Sequence, residues 1–478
     1  MIHEKYTSNI ITIVMVFVLL GVVGSNTSFA GGDRYSPRII GMGRTYTAHS
    51  RGLDAVGLNP ANLALDDRNA TVTINFVPFG LSAGSDFINY KIYNDFFTGD
   101  PNLPLTVDGK KQGKQLSAQD KNDILGLFPG GIAHTQASFE TSPIGFSLQA
   151  GNFGLAIVPS VRAAVNFDLV EDYLKFAFNT FGIEGNKYSF NNTAVNASIV
   201  AEMNVSAAYI LPLTLPAVTD ISFGIGVKYL AGLASVTTER YNASIENVII
   251  KEDISGQPAL NEIQVNGNAD FIQRVALLDP DNLQPVGSGM GYDVGISFKL
   301  ADIVLCGISV TDIGSMTWDK QTKAIIGSGK FSISGNIATV ADSVSNVFKG
   351  KSVDTTGFKT DLPTALHIGT FVQIDQVIDL PFRWGVAADL HLGFNEAPGN
   401  SKTPLIGLGT ELDFLAGWLP LRTGILLGGR ERFAWSAGLG IHIFNSFDLD
   451  FATESVTILT NPESFRNGSF TMGMRLRI

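Results

Sequence analysis

Period-two alternation, an apolar export segment and a rhythm of short and long connections predict an all-β fold: a 14-stranded antiparallel transmembrane β-barrel with an N-terminal plug segment. Alternation is clearest from Phe382 to Phe394, where Phe382, Trp384, Val386, Ala388, Leu390, Leu392 and Phe394 interleave with Arg383, Gly385, Ala387, Asp389, His391 and Gly393. Strand side chains point to opposite faces in turn, so one face suits lipid and the other a polar lumen.

Taken in order, residues 10–24 (IITIVMVFVLLGVVG) follow Lys5 and precede Ser28-Phe29-Ala30. This run is short for a span of about 20 residues and ends in small residues, so 1–30 reads as a signal peptide cleaved near Ala30. Residues 31–70 do not alternate and are assigned to the plug, and 71–478 to the barrel. Alternating segments fall at 72–79, 137–150, 153–165, 196–211, 219–236, 288–300, 303–317, 363–374, 381–394, 403–415, 420–429, 432–444, 447–457 and 468–478. Short connections (151–152, 212–218, 301–302, 376–381, 416–420, 445–446) take turns with longer ones (80–136, 166–195, 237–287, 318–362, 395–402, 458–467), the short hairpin at 430–431 excepted. An even strand number with short periplasmic turns places both barrel ends on the periplasmic side. Ser117 predicts a capped helix over 118–127 with Asp120 in the capping box, and 167–179 has helical periodicity. The four tryptophans lie near strand ends, as expected of a headgroup-level belt. The final strand ends on Ile478, where barrel assembly signals more commonly end on Phe.

Composition fits this architecture. Hydrophobic residues are 45% and charged residues 16%, because half of each alternating strand is polar. A net charge of −11 argues against nucleic acid as a partner, and the single Cys306 excludes an internal disulfide and a cysteine-based zinc site. GSGKF at 327–331 lacks the spacing of a phosphate loop, and six histidines form no evident constellation. No enzyme, cofactor or metal site is expected.

The segment GMGRTYTAHSRGLDAVGLNPANLAL at 41–65 combines a glycine-rich start (Gly41, Gly43), a small-residue stretch and Asn59-Pro60-Ala61 just before the first strand. A barrel of this size leaves a lumen too wide for wall side chains to fill, so a plug is physically required if it is not to leak. These residues resemble the N-terminal segment of the FadL/TodX family of long-chain fatty acid and hydrocarbon transporters and of PorV-like relatives used in protein secretion. The resemblance implies a plug folded inside a barrel, with Gly41, Gly43, Asn59, Pro60 and Ala61 forming its motif. It also implies passive uptake of hydrophobic small molecules, or alternatively a non-transporting accessory that binds exported proteins at the cell surface.

The expected partners are outer-membrane lipid, the barrel-assembly machinery and an apolar small-molecule ligand, or exported proteins in the alternative. Phe96, Phe97, Leu125, Leu127 and Phe128 in the first long loop, with Leu174, Phe176 and Phe178 in the second, are the candidate ligand vestibule. Charges of both signs fall on the lumenal parity, and internal pairing is their expected role because an unpaired charge away from water is costly. Arg383 and Arg422 are the candidates for capturing a ligand carboxylate. Pro78 and Pro159 are expected to interrupt hydrogen bonding in the wall.

Overall fold

A computed structural model describes residues 34–478, except 100–102, 105–108, 110–111, 113, 179–186, 214, 253–257, 302, 336, 430–431, 445 and 465. The signal segment with its cleavage point near Ala30, the short hairpin at 430–431 and turn residues 302 and 445 lie outside the described residues.

The wall has 14 positions: β1 Val72–Ser85; β2 in two pieces, Ile132–Thr141 and Ile144–Ala150; β3 Phe153–Val170; β4 Ala194–Ile210; β5 Val218–Glu252; β6 Gly287–Leu300; β7 Val304–Trp318; β8 Ala365–Gln373; β9 Arg383–Gly393; β10 Leu405–Phe414; β11 Leu419–Gly428; β12 Arg432–Ile443; β13 Phe447–Thr453; and β14 Asn467–Arg477. Each pairs antiparallel with the next. Pairing of β14 with β1, from Thr73 opposite Arg477 to Gly84 opposite Asn467, closes the cylinder. Closure leaves no strand edge unpaired, which is what a bilayer demands of a β-structure.

The outer surface is apolar where alternation predicts it. On β5, Phe223, Ile225, Val227 and Tyr229 are exposed while Ser222, Lys228 and Leu230 are buried in the lumen. On β12, Phe433, Leu439, Ile441 and Ile443 face outward and Ser436 and His442 inward.

Four expectations are corrected. The segment 137–150 is not one strand, because β2 breaks at Ser142-Pro143. Trp318 is not in an interfacial belt: it is fully buried inside the barrel, its Nε1 donating to Thr360 Oγ1 at 2.9 Å. The cause is a bulge on β7 between Val310 and Ile313, where Thr311 and Asp312 both turn inward and Asp312 has φ +54°. One extra residue reverses which parity faces the lumen, so Met316 and Trp318 enter it.

The connections 237–287 and 318–362 are not plain loops. β5 continues through Glu252 and pairs with Pro258–Leu277, which pairs in turn with Thr322–Ile326 and Gly329–Gly335. Helix Ile337–Lys349 sends Val344 and Phe348 onto this extension. The capped helix appears at Ala118–Leu125 with the Ser117–Asp120 capping box, whereas in 167–179 only Asp172–Phe178 is helical because β3 runs through Val170.

Candidate functional site

Residues 34–70 lie within the lumen and form short turns rather than long helices: Pro37–Gly41, Gly52–Ala55 and Pro60–Ala64. Asn59 caps the last of these, its side-chain oxygen accepting from the Ala61 amide at 3.2 Å. Its amide nitrogen donates to the Thr47 carbonyl at 3.0 Å and to Ser297 Oγ of β6 at 2.8 Å. Asn62 donates to the same Thr47 carbonyl at 2.9 Å and accepts from Ser297 Oγ at 2.6 Å. The motif thus ties the plug to itself and to the wall.

Wall glycines explain how plug backbone comes so close. A side chain at Gly224 would run into Pro60-Ala61, at Gly407 or Gly409 into Met42-Gly43, and at Gly438 into Gly41. Gly43 itself has φ +61°, a backbone state that glycine adopts without cost. Gly224, Gly407, Gly409 and Gly438 therefore serve as seats for the plug.

Ion pairs fix the plug in several directions. Arg34 binds Glu140 at 2.6 Å and also Glu202; Arg38 binds Asp450 at 3.1 Å and also Asp448; Arg44 meets Glu454 through two bonds of 2.6 and 3.0 Å. In the opposite sense, plug Asp54 accepts from wall Arg475 at 2.8 and 2.7 Å, and Asp67 from Arg477 at 3.2 Å. His442, Asp448 and Asp450 have the ligand types of a cation site, but the Arg38 guanidinium occupies it. Plug His49 is buried between Tyr46 and Phe371, at ring distances of 4.2 and 4.0 Å, with neither ring nitrogen bonded among the described residues. Burial pushes its pKa down to about 3.

On one side the wall is interrupted. The β1–β2 ladder runs from Phe79–Thr141 upward and from Phe76–Ile144 downward, and the stretch between is spanned by Val77 N to Pro143 O at 3.3 Å and Ser142 N to Pro78 O at 3.1 Å. Across β2 and β3 the register stops at Thr141–Val161 and resumes at Phe146–Ile157. Three prolines in three adjacent strands, Pro78, Pro143 and Pro159, border this seam and supply no backbone donor to it. Val77 carries φ +41°, a strained state for a β-branched residue.

Behind the seam is a cavity of about 70 Å³ touching Pro78, Ser142, Val158 and plug residues Tyr35 and Pro37. Tyr35 and Glu140 also line a larger cavity of about 350 Å³ on the outer side of the plug. Its apolar wall is Val200, Leu230, Met316, Trp318 and Leu362, and Asn395 to Gly399 fold in from the β9–β10 connection.

Phe97 aside, the vestibule candidates do not line either cavity. Leu127 and Phe128 pack with Leu174, Phe87 and Ala133, while Phe176 packs against Tyr188 and Phe190. Phe96 lies under Lys114 and Phe178 under Lys121. Leu125 ends its capped helix half-buried, and Phe97 ends the helix Tyr90–Phe97. Leu127, Phe128, Leu174 and Phe176 thus belong to small cores between loops and wall. Arg422 is buried between Glu411 and Asp450, 2.7 Å from the latter, so its charge is already matched. Arg383 is exposed at the opposite mouth, beside Asp413 and Glu411.

Sequence reasoning missed the lumenal wall formed by Met316 and Trp318, because the bulge hides their parity. Asp312-Ile313-Gly314 within the strand was the available signal: a turn-like triplet inside an alternating run marks a bulge.

Comparison with solved structures finds the Pseudomonas putida toluene transporter TodX at 13% identity, covering 94% of this chain and 98% of that one with a TM-score of 0.42. A Pseudomonas aeruginosa FadL homologue is 10% identical over 94% and 100% of the two chains, TM-score 0.41. The translocator domain of autotransporter NalP from Neisseria meningitidis is 9% identical over 87% and 91%, TM-score 0.31. No curated protein matches the sequence. Residues 60–448 match the model of a family described as of unknown function, DUF5723, and the chain belongs to that family.

Proposed function

We propose that the chain is an outer-membrane barrel for passive uptake of hydrophobic small molecules. The observation that carries this reading is the proline-bordered seam: the outer cavity and the small cavity behind the seam share Tyr35 and Glu140, and there the wall ladder is reduced to two hydrogen bonds, a place where it could open sideways toward lipid. An apolar solute gains nothing by entering periplasmic water, and leaving through the seam keeps it in an apolar phase. The plug, held by ion pairs from several sides, blocks the straight path along the axis. Residues 1–30 as a cleaved export signal, 31–70 as the plug and 71–478 as the barrel complete this assignment.

Cells whose own outer membrane excludes radiolabelled alkanes and fatty acids should accumulate such a label when they express the chain. No accumulation, together with capture of a secreted protein by the purified barrel, would replace uptake by the docking alternative. The sheet extension formed by β5 and Pro258–Leu277 would then be the first surface to test.

A further inference from the structure

The outer cavity is apolar on one side only. Ser198 of β4 stands directly opposite Ser235 of β5, both inside the cavity, and neither hydroxyl has a hydrogen-bond partner among the described residues. Ser235 is 2% exposed, so its hydroxyl has little besides the cavity to face. Ser198 is half-buried, and two hydroxyls with no protein partner facing one space form an arrangement that a polar ligand group completes.

Two of the charges lining the same space, Arg162 and Glu140, are already matched. Arg162 is held by Glu202 at 3.2 Å and by Asp312 at 3.3 Å, and Glu140 by Arg34 at 2.6 Å. Lys359 reaches the cavity rim only along its strand: Phe358 and Thr360 pair with the inward Trp318 and Met316, so Lys359 takes the other face, with Thr317. Inside the cavity a carboxylate therefore finds Arg162 already paired and Lys359 turned to the outer face, and pays the cost of dehydration.

Resting on the uptake reading above, we infer that this cavity selects an uncharged amphiphile over a fatty-acid carboxylate. Its hydroxyl or amide head bonds to Ser198 and Ser235, and its chain lies along Leu230, Met316 and Trp318. The site narrows the expected cargo from hydrophobic molecules in general to neutral ones with one compact polar group.

The test compares three labelled probes of equal chain length, dodecanol, dodecanoate and dodecane, bound to the full barrel in lipid nanodiscs at pH 8, each corrected by empty nanodiscs. Dodecanol should bind about tenfold more tightly than either of the others, as one to two net hydrogen bonds allow. Ser198→Ala with Ser235→Ala should remove the preference over dodecane while leaving dodecane binding itself unchanged; heat-modified migration on gels confirms that the variant barrel is folded. Equal or tighter binding of dodecanoate overturns the inference, as does a dodecanol affinity that the double variant does not alter, and in both cases uptake itself stands. If none of the three binds above empty nanodiscs and cells accumulate no label, the uptake reading falls and takes this inference with it.

Discussion

Two sides of the same wall behave differently. From β8 to β12 the ladders run without a register shift, and glycines on that arc seat the plug at Met42 and Gly43. From β1 to β3 the register shifts or stops beside Pro78, Pro143 and Pro159. Both arcs alternate in sequence, so alternation does not separate them. What does is backbone donors: every residue on the smooth arc except Pro420 at its turn end supplies one, and the seam loses three within a small patch. A barrel can thus be sealed where it holds its plug and weak where cargo would leave.

The contrast breaks most severely if the plug is unlocked from β13, next to the sealed arc. Arg38→Ala leaves Asp448 with Arg477 and Asp450 with Arg422, so the loss falls below the roughly 3–5 kcal/mol of a fully orphaned buried charge. The plug should loosen and planar-bilayer recordings should show conductance steps absent from the native chain; a silent variant would mean that the other ion pairs suffice.

Mending the seam should have the next largest effect. Pro78→Thr with Pro143→Thr returns two backbone donors, each hydrogen bond worth about 1 kcal/mol. Amides at 76–79 and 141–144 should then exchange more slowly and labelled alkane uptake should drop several-fold. Slower exchange with undiminished uptake would move the exit elsewhere.

A smaller effect is expected from pH. His49 is held neutral in the folded plug, with its pKa lowered from 6.5 to about 3, so the unfolded plug binds the extra proton first as pH falls. The stability that this group contributes is complete above pH 6.5 and is lost progressively toward pH 3. Protease resistance of the plug should weaken over that window, and His49→Phe should flatten this dependence without changing behaviour at pH 8. Unchanged acid sensitivity in the variant would assign it to other groups.

The least effect is expected at Phe96. Its ring meets Lys114 at 4.8 Å in an outer loop, a contact worth roughly 0.5–1 kcal/mol at an exposed site. Phe96→Ala should leave uptake within about twofold; a larger loss would return this ring to the ligand path.

Much of the wall was legible from residues because its physics is local. Lipid on one face and a crowded lumen on the other force period two, so the clean runs at 288–300 and 381–394 lie within one or two residues of β6 and β9. The Ser117–Asp120 box was legible for the same reason, being a four-residue hydrogen-bonding pattern. The vestibule was less legible, because apolar loop residues look alike whether they face a ligand or each other. Only the fold shows Phe128 packed on Phe87, at a ring distance of 4.9 Å.

The amino-acid order alone determined a closed barrel, its strand number, and a non-alternating leader suited to fill it. The tertiary structure decided which glycines meet the plug, which arginine neutralises which carboxylate, and that three prolines far apart in sequence border one seam. Alternation is set by each residue's own solvent, whereas seats, ion pairs and seams depend on register between strands, and a single bulge such as that at Thr311-Asp312 resets the register for everything beyond it.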